Sequence, residues 1–231
     1  MKLSKLKHLL PVLAGFAMVS CGMMKGQPEA FTGKMTYGIS IEMADGSENP
    51  MLDQMKGMLP NEMAVASDGE NYAMKMDGMQ GMHLVAKPSE DMVYIATQGQ
   101  YIKQKLSEMN QPEEGEEPAS EDDISIEETG DTKEILGFTA KGYKVTDADG
   151  NVTTMYVTED LVMNVPEAMG GLGGPSGFSK QVKGTPLRIE QSLGQAGMDM
   201  LIIFEAAAIE EGAEAATPIL TPEEGDYQME E

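Results

Sequence analysis

The chain has 231 residues, enough for one domain or two small ones, and a formal net charge of −23. A protein this acidic repels the phosphates of nucleic acids, which argues against a DNA- or RNA-binding role. The sequence contains one cysteine and two histidines. This scarcity argues against Cys–His or Ser–His–Asp catalysis and against a metal site of several histidines.

The single cysteine, Cys21, follows a basic and then apolar N-terminal segment. Lys2, Lys5 and Lys7 precede an apolar run over residues 9–19, and small residues close that run before the thiol. The run is shorter than the ~20 residues that a membrane-spanning helix needs. The arrangement resembles a bacterial lipobox, which implies cleavage before Cys21 and acylation of its thiol. The alternative is an ordinary cleaved signal in which Cys21 has no role.

These features predict how the chain is divided. We expect a lipoprotein signal peptide over residues 1–20, a tether over 21–30 and a single β-rich domain over 31–210. Loss of the signal removes three lysines and takes the net charge to about −26. Residues 211–231 are acidic, and we expect a C-terminal tail there with a weak helical turn and a frayed end.

An acidic segment interrupts the domain over residues 107–123. Its last twelve residues carry seven carboxylates and no basic side chain. That composition buries too little apolar area to offset the entropy of ordering, so we expect a disordered insert. A solvated loop that keeps the protein soluble is the preferred interpretation, and a calcium-collecting segment is the alternative.

Alternating apolar and polar residues predict strands through most of the domain. Residues 31–43 have the period-2 pattern of a half-buried strand. Short runs separated by turn residues predict an antiparallel meander from Met63 to Leu106. Residues 198–208 are more continuously apolar, which indicates a central strand.

A hairpin is predicted between residues 138–146 and 152–158. The intervening turn contains Gly150 and Asn151, which we expect to supply positive backbone angles. Asp147, Asp149 and Asn151 also match the first three ligands of a calcium-binding EF-hand loop. The glycine and the final acid of such a loop are missing, so the hairpin is the preferred interpretation.

An apolar stripe with helical spacing lies between Asn49 and Pro60. Its members are Met51, Leu52, Met55, Met58 and Leu59. These positions share one side of a helix, which predicts an amphipathic helix over residues 49–59. Asn49 can cap this helix, Pro50 fits its first turn and Pro60 ends it. We expect the stripe to pack on the sheet or to line a site for an apolar ligand.

Methionine is unusually frequent, with 22 residues in the chain. One cluster combines thioethers with an imidazole, a set of ligands that can hold Cu(I). Its members are Met74, Met76, Met79, Met82 and His83. Because methionine also occupies core positions elsewhere, such as Met35 and Met55, packing is the preferred interpretation and copper binding the weaker one.

Short motifs carry a family resemblance. They are Ile135-Leu136-Gly137-Phe138-Thr139-Ala140-Lys141 and Tyr156-Val157-Thr158. Together with residues 31–37 they resemble the lipid-anchored bacterial proteins grouped as domain of unknown function 4412. Tyr156 stands where that family often has tryptophan. The family's layout is similar to the half-barrel of Lol-type lipoprotein carriers, which implies a curved sheet holding an apolar ligand against helices.

The sequence therefore predicts a mainly β (α+β) fold: a curved antiparallel sheet or half-barrel with one amphipathic helix packed on it. No carboxylate pair stands out as a general acid and base, so we expect neither catalysis nor a cofactor. We expect a lipid-anchored envelope protein on the periplasmic face of the outer membrane, acting as a binding or structural module. Its partners would be the membrane, through the lipid, and an apolar ligand or an envelope protein. The alternative is a carrier for lipids or acylated proteins.

Overall fold

The structure is a computed structural model that describes most of the chain. The described residues are 30–47, 49–57, 59–78, 81–109, 124–147, 150–166, 178–195 and 198–229. Cys21 and the tether up to residue 29 lie outside them. Residues 110–123, the greater part of the predicted acidic insert, also lie outside the described residues.

The described residues form twelve strands. Their bounds are Gly33–Met43 (β1), Glu62–Ser67 (β2), Tyr72–Met76 (β3), Met82–Lys87 (β4), Met92–Thr97 (β5), Gln100–Lys105 (β6), Ser125–Ile135 (β7), Phe138–Thr146 (β8), Val152–Thr158 (β9), Thr185–Gln195 (β10), Met198–Glu211 (β11) and Gln228–Met229 (β12). They make one curved, open sheet in the order β12-β6-β5-β4-β3-β2-β1-β11-β10-β9-β8-β7. Only β12, which runs parallel to β6, departs from antiparallel pairing within these strands.

The predicted fold class is confirmed: a curved, mainly β sheet carries an amphipathic helix. Strand β1 begins two residues later than predicted, and Met35 and Tyr37 are buried on one of its faces. The meander is found as β2 to β6, and β11 is central because it lies between β1 and β10.

The hairpin of β8 and β9 is also found where the sequence predicts it. Gly150 has a positive φ of 83° and donates its N–H to Asp147 O at 3.0 Å. Asn151 does not have the positive φ that we expected. Instead its backbone and side-chain N–H groups donate to the Asp147 carboxylate at 2.8 and 2.9 Å, which fixes the turn through hydrogen bonds.

One face of the sheet, which we call the core face, carries the main apolar cluster. Met35 and Val65 lie on it as register partners and are almost fully buried. Two helices cover parts of this face: α1 (Pro50–Lys56) packs Leu52 on Ile41, and α2 (Phe178–Gln181) packs near Ile189. None of the helices in the described ranges is long and apolar enough to span a membrane.

The opposite face, which we call the strap face, is covered from the C-terminus. Small side chains line it on β2 and β3, including Ala64, Ala66 and Ala73. Helix α3 (Ala213–Leu220) lies over β1, β2 and β3, and its Ala216 is fully buried. Small residues on both sides allow this close approach.

The remaining C-terminal residues follow α3 along the same face. Lys75 and Glu223 form an ion pair at 3.4 Å, and the ring of Tyr227 lies edge-on to those of Tyr94 and Tyr101. We call residues 213–229 the C-terminal strap. The structure thus differs from the frayed tail that the sequence predicts, because the acidic composition conceals apolar side chains that bury against the sheet.

Candidate functional site

The predicted amphipathic helix is present as α1 but is shorter than expected. It ends at Lys56, directly before Gly57, whereas the sequence predicts an end at Leu59. Glycine is a poor helix former and accounts for the earlier end. One further hydrogen bond, from Leu59 N–H to Met55 O at 3.2 Å, continues the turn beyond the helix.

Leu52 attaches α1 to the sheet. Its side chain is 4% exposed and packs with Ile41 and Met200, which lie on β1 and β11. Met55 and Leu59 are partly buried against the same cluster. The structure therefore brings three members of the predicted stripe together, while Met58 and the Met51 side chain lie outside the described residues.

An open cleft of about 390 Å³ lies between α1 and the end of β1. Its apolar lining includes Ile41, Met43 and Leu52, and its polar lining includes Ser47 and Lys56. The turn after β1 closes one side, with Ser47 N–H donating to the Asp45 carboxylate at 2.9 Å. This volume lies within the range of small-molecule sites, and the mixed lining suits a ligand with apolar and polar parts.

The Asp45 carboxylate beside the cleft is ordered by that turn. Its hydrogen bonds from Ser47 hold the pKa of Asp45 below the ordinary value of an aspartate. Asp45 is not part of the lining, but its negative charge lies next in sequence to Gly46 and Ser47, which are. Lys56, in the last turn of α1, supplies a positive charge to the lining.

A second, smaller cavity of about 130 Å³ lies beside the β3–β4 and β5–β6 turns. His83 contributes to its lining, is 4% exposed and donates from Nε2 to Ile219 O of the strap at 2.6 Å. Its Nδ1 faces a Glu223 carboxylate oxygen at 3.6 Å and has no hydrogen-bond partner within the described part of the protein. His83 thus holds the strap to the sheet.

Among the described residues, the imidazole and the thioethers of the suggested copper-binding set lie on different faces of the sheet. Three of the thioethers lie on the core face. Met74 pairs with Val65 of that face, Met76 lies two residues further along β3 on the same side, and Met82 pairs with Met76. His83 follows Met82 in β4, so its side chain points to the strap face. The imidazole is therefore on the other side of the sheet from these three thioethers, and Met79 lies outside the described residues.

An ion-pair network missed by the sequence analysis lies on β7, β10 and β11. Arg188, the single arginine of the chain, contacts Glu190 at 2.6 Å and also pairs with Glu205. Lys133 approaches the same Glu190 oxygen at 3.2 Å and lies 4.3 Å from the ring centre of Tyr156. Within the described ranges, no three His, Cys, Asp or Glu side chains are grouped to hold a metal ion.

This network changes the titration of Glu190. Burial alone would raise the pKa of its carboxyl, but hydrogen bonds from Arg188 and Lys133 outweigh burial and hold the pKa below its ordinary value. Arg188 lies on the same strand as Glu190, and Glu205 lies on the neighbouring β11. Lys133 reaches Glu190 from β7, which β8 and β9 separate from β10. We interpret the network as a structural clamp between strands, since every charge in it is paired.

No family model and no curated protein matches the chain. Its resemblance to domain of unknown function 4412 therefore stays a prediction. Similar solved structures include PNGF-II, with a TM-score of 0.46 and 11% identity over 86% of this chain. The chain spans only 31% of the length of PNGF-II.

Two further solved structures match over most of their own length. The lipoprotein LppX of Mycobacterium tuberculosis has a TM-score of 0.37 and 10% identity, over 79% of this chain and 88% of LppX. A DUF1329 family protein from Desulfovibrio piger has a TM-score of 0.29 and 7% identity, over 82% of this chain and 90% of that protein. Similarities this weak carry no conclusion about ligand or activity.

Proposed function

We propose that the chain is a lipid-anchored, non-catalytic binding protein of the bacterial cell envelope. The lipobox-like segment that ends at Cys21 supports the anchor. Gly22 follows the cysteine where an aspartate would favour the inner membrane, so resemblance to lipoprotein sorting rules supports the periplasmic side of the outer membrane.

The observation that carries the binding role is the cleft beside α1. Its volume of about 390 Å³ is that of a ligand site. Ile41 and Leu52 offer apolar contact, while Ser47, Asn49 and Lys56 offer polar groups in the same lining. We therefore propose an amphiphile as ligand, with one apolar chain and a polar head group.

A carrier for lipids or acylated proteins is the second candidate. The open form of the cleft favours it, because a carrier must load and release its cargo. Transfer of a fluorescent fatty acid from donor to acceptor vesicles distinguishes the candidates. A carrier accelerates this transfer, whereas a protein that retains its ligand does not.

The anchor is tested by Cys21→Ser in the full chain. Two or more acyl chains hold a protein stably to a membrane, so the variant should move from the membrane pellet to the soluble fraction. Pelleting equal to that of the unaltered protein would contradict the anchor.

The ligand site is tested by native mass spectrometry of the released Cys21→Ser chain. We expect a bound species with the mass of one amphiphile. Ser47→Phe, which fills the cleft from an exposed position, should remove that species. Ser89→Phe is the matched control, since Ser89 is also exposed but lies outside the cleft. A bound mass that survives Ser47→Phe, or the absence of any bound mass, rejects this site.

A further inference from the structure

An exposed leucine marks the turn between β7 and β8. Leu136 is 46% exposed, and its φ of 52° lies in the left-handed region; Gly137 follows with a φ of 83°. A leucine in this backbone conformation is strained, because its Cβ crowds the neighbouring carbonyl oxygen. The chain thus holds a large apolar side chain in water at a position that suits asparagine or glycine.

The same turn occurs between β5 and β6 with a polar residue. Gln98 has a φ of 50° and Gly99 a φ of 77°, so the two turns have nearly the same backbone. Gln98 is exposed, as a turn residue in water is expected to be. The difference between Leu136 and Gln98 is therefore one of side-chain chemistry and not of backbone requirement.

The two turns lie at opposite ends of the sheet. Strand β1 begins at Gly33, paired with Glu211 at the end of β11. Successive antiparallel pairings place the start of β10, the end of β9 and the β7–β8 turn at this same end. The β5–β6 turn lies at the other end. We call the end at which β1 begins the tether end.

The chain that precedes β1 limits how far the tether end can lie from a membrane. Nine residue steps join Cys21 to Ala30, and an extended chain of that length spans at most about 30 Å. The other exposed large hydrophobic residue of the described chain is Met229 in β12. It pairs with Lys103, two residues before β6 ends at Lys105 on the side of the tether end. Exposed apolar side chains thus lie towards the end that the anchor would hold near lipid.

We propose that Leu136, at the tip of the β7–β8 hairpin, contacts the phospholipid bilayer to which Cys21 anchors the chain. This inference rests on the proposed anchor and adds the orientation of the domain. Contact with acyl chains removes the leucine from water, which offsets the strain of its backbone. The strap face and the cleft beside α1 then remain accessible from the aqueous side.

Site-directed labelling of the anchored full chain tests the orientation. Acylation consumes the only native cysteine, so Leu136→Cys supplies a single thiol for an environment-sensitive fluorophore. Gln98→Cys is the matched control, with the same turn at the other end. Both variants are placed in phosphatidylcholine vesicles with and without a nitroxide-labelled lipid.

The emission of the label at position 136 should shift to shorter wavelength, and the nitroxide-labelled lipid should quench most of that emission. The label at position 98 should show neither change. Equal responses at the two positions, in protein that still floats with the vesicles, would overturn the orientation but leave the anchor intact. Failure of the chain to float with the vesicles would overturn both the anchor and the orientation.

Discussion

The backbone of Gly225 lies against the ring of Tyr101, so closely that a Cβ on the glycine would sit 2.5 Å from the ring carbons. This contact fits the end of the C-terminal strap onto β6. Together with the hydrogen bond between His83 and Ile219, it fixes the strap at two points. The strap is therefore part of the folded domain.

Gly225→Ala should destabilise the domain by about 1–3 kcal/mol, because the added methyl group forces the strap or the ring to move. Thermal unfolding followed by circular dichroism measures the change. Gly38→Ala is the matched control, since a Cβ there meets its nearest atom at 3.9 Å. Equal melting temperatures for the two variants would show that the strap does not pack as described.

Leu52→Asp should destabilise the domain by about 3 kcal/mol or more, because it buries an unpaired carboxylate between α1 and the sheet. Leu52→Met keeps the volume and apolar character and should cost less than about 1.5 kcal/mol. Urea unfolding gives both values. If Leu52→Asp unfolds at the wild-type urea concentration, α1 does not contribute to the core.

Glu190 should stabilise the folded state in a way that depends on pH. Its pKa is lowered on folding, so its stabilising contribution is complete above the ordinary glutamate value of about 4.3. The contribution is then lost as the pH falls through the lower folded-state pKa. Unfolding free energies of the wild type and Glu190→Gln, measured from neutral pH downwards, should converge in this acidic range.

Glu159→Gln provides the control for this titration. The Glu159 side chain is 60% exposed and pairs with Lys141 at 2.6 Å. Exposed ion pairs contribute little, so this variant should follow the wild-type pH profile. A Glu190→Gln profile that runs parallel to the wild type at every pH would contradict the role of the network.

Leu136→Asn should raise the free energy of unfolding of the soluble Cys21→Ser chain by about 1 kcal/mol, because asparagine tolerates positive φ better than leucine. Leu136→Val should lower it, since a β-branched side chain fits this conformation poorly. Thermal unfolding of both variants measures the difference. A lower melting temperature for Leu136→Asn would show that the leucine is not strained at the turn.

The strands and α1 were predictable because their patterns are local. The alternation in residues 33–43 and the stripe around Leu52 depend only on which side chains meet the sheet. The hairpin at Gly150 was predictable from turn chemistry. Such features need no knowledge of how distant segments meet.

The strap and the ion-pair network depend on distant segments. His83 meets Ile219 across 136 positions, and Lys133 meets Glu190 across 57. The acidity of residues 211–231 suggested a solvated tail. In the structure, however, Ala216 and Tyr227 of this segment pack against the sheet. The alanines of β2 and β3 were a weak indication that a helix could lie on the strap face. They become neighbours only through the pairing register of these strands, which the sequence does not show.

The pairing of β1 with β11 has a consequence for the order of folding. Gly33 pairs with Glu211, so the first strand gains one of its two neighbours only when nearly the whole sequence is available. Until then β1, beside the meander of β2 to β6, is an open edge of the sheet that can pair with other chains. Because contacts this distant in sequence form slowly, we expect a chain that emerges from its N-terminus onwards to need protection until β11 has arrived.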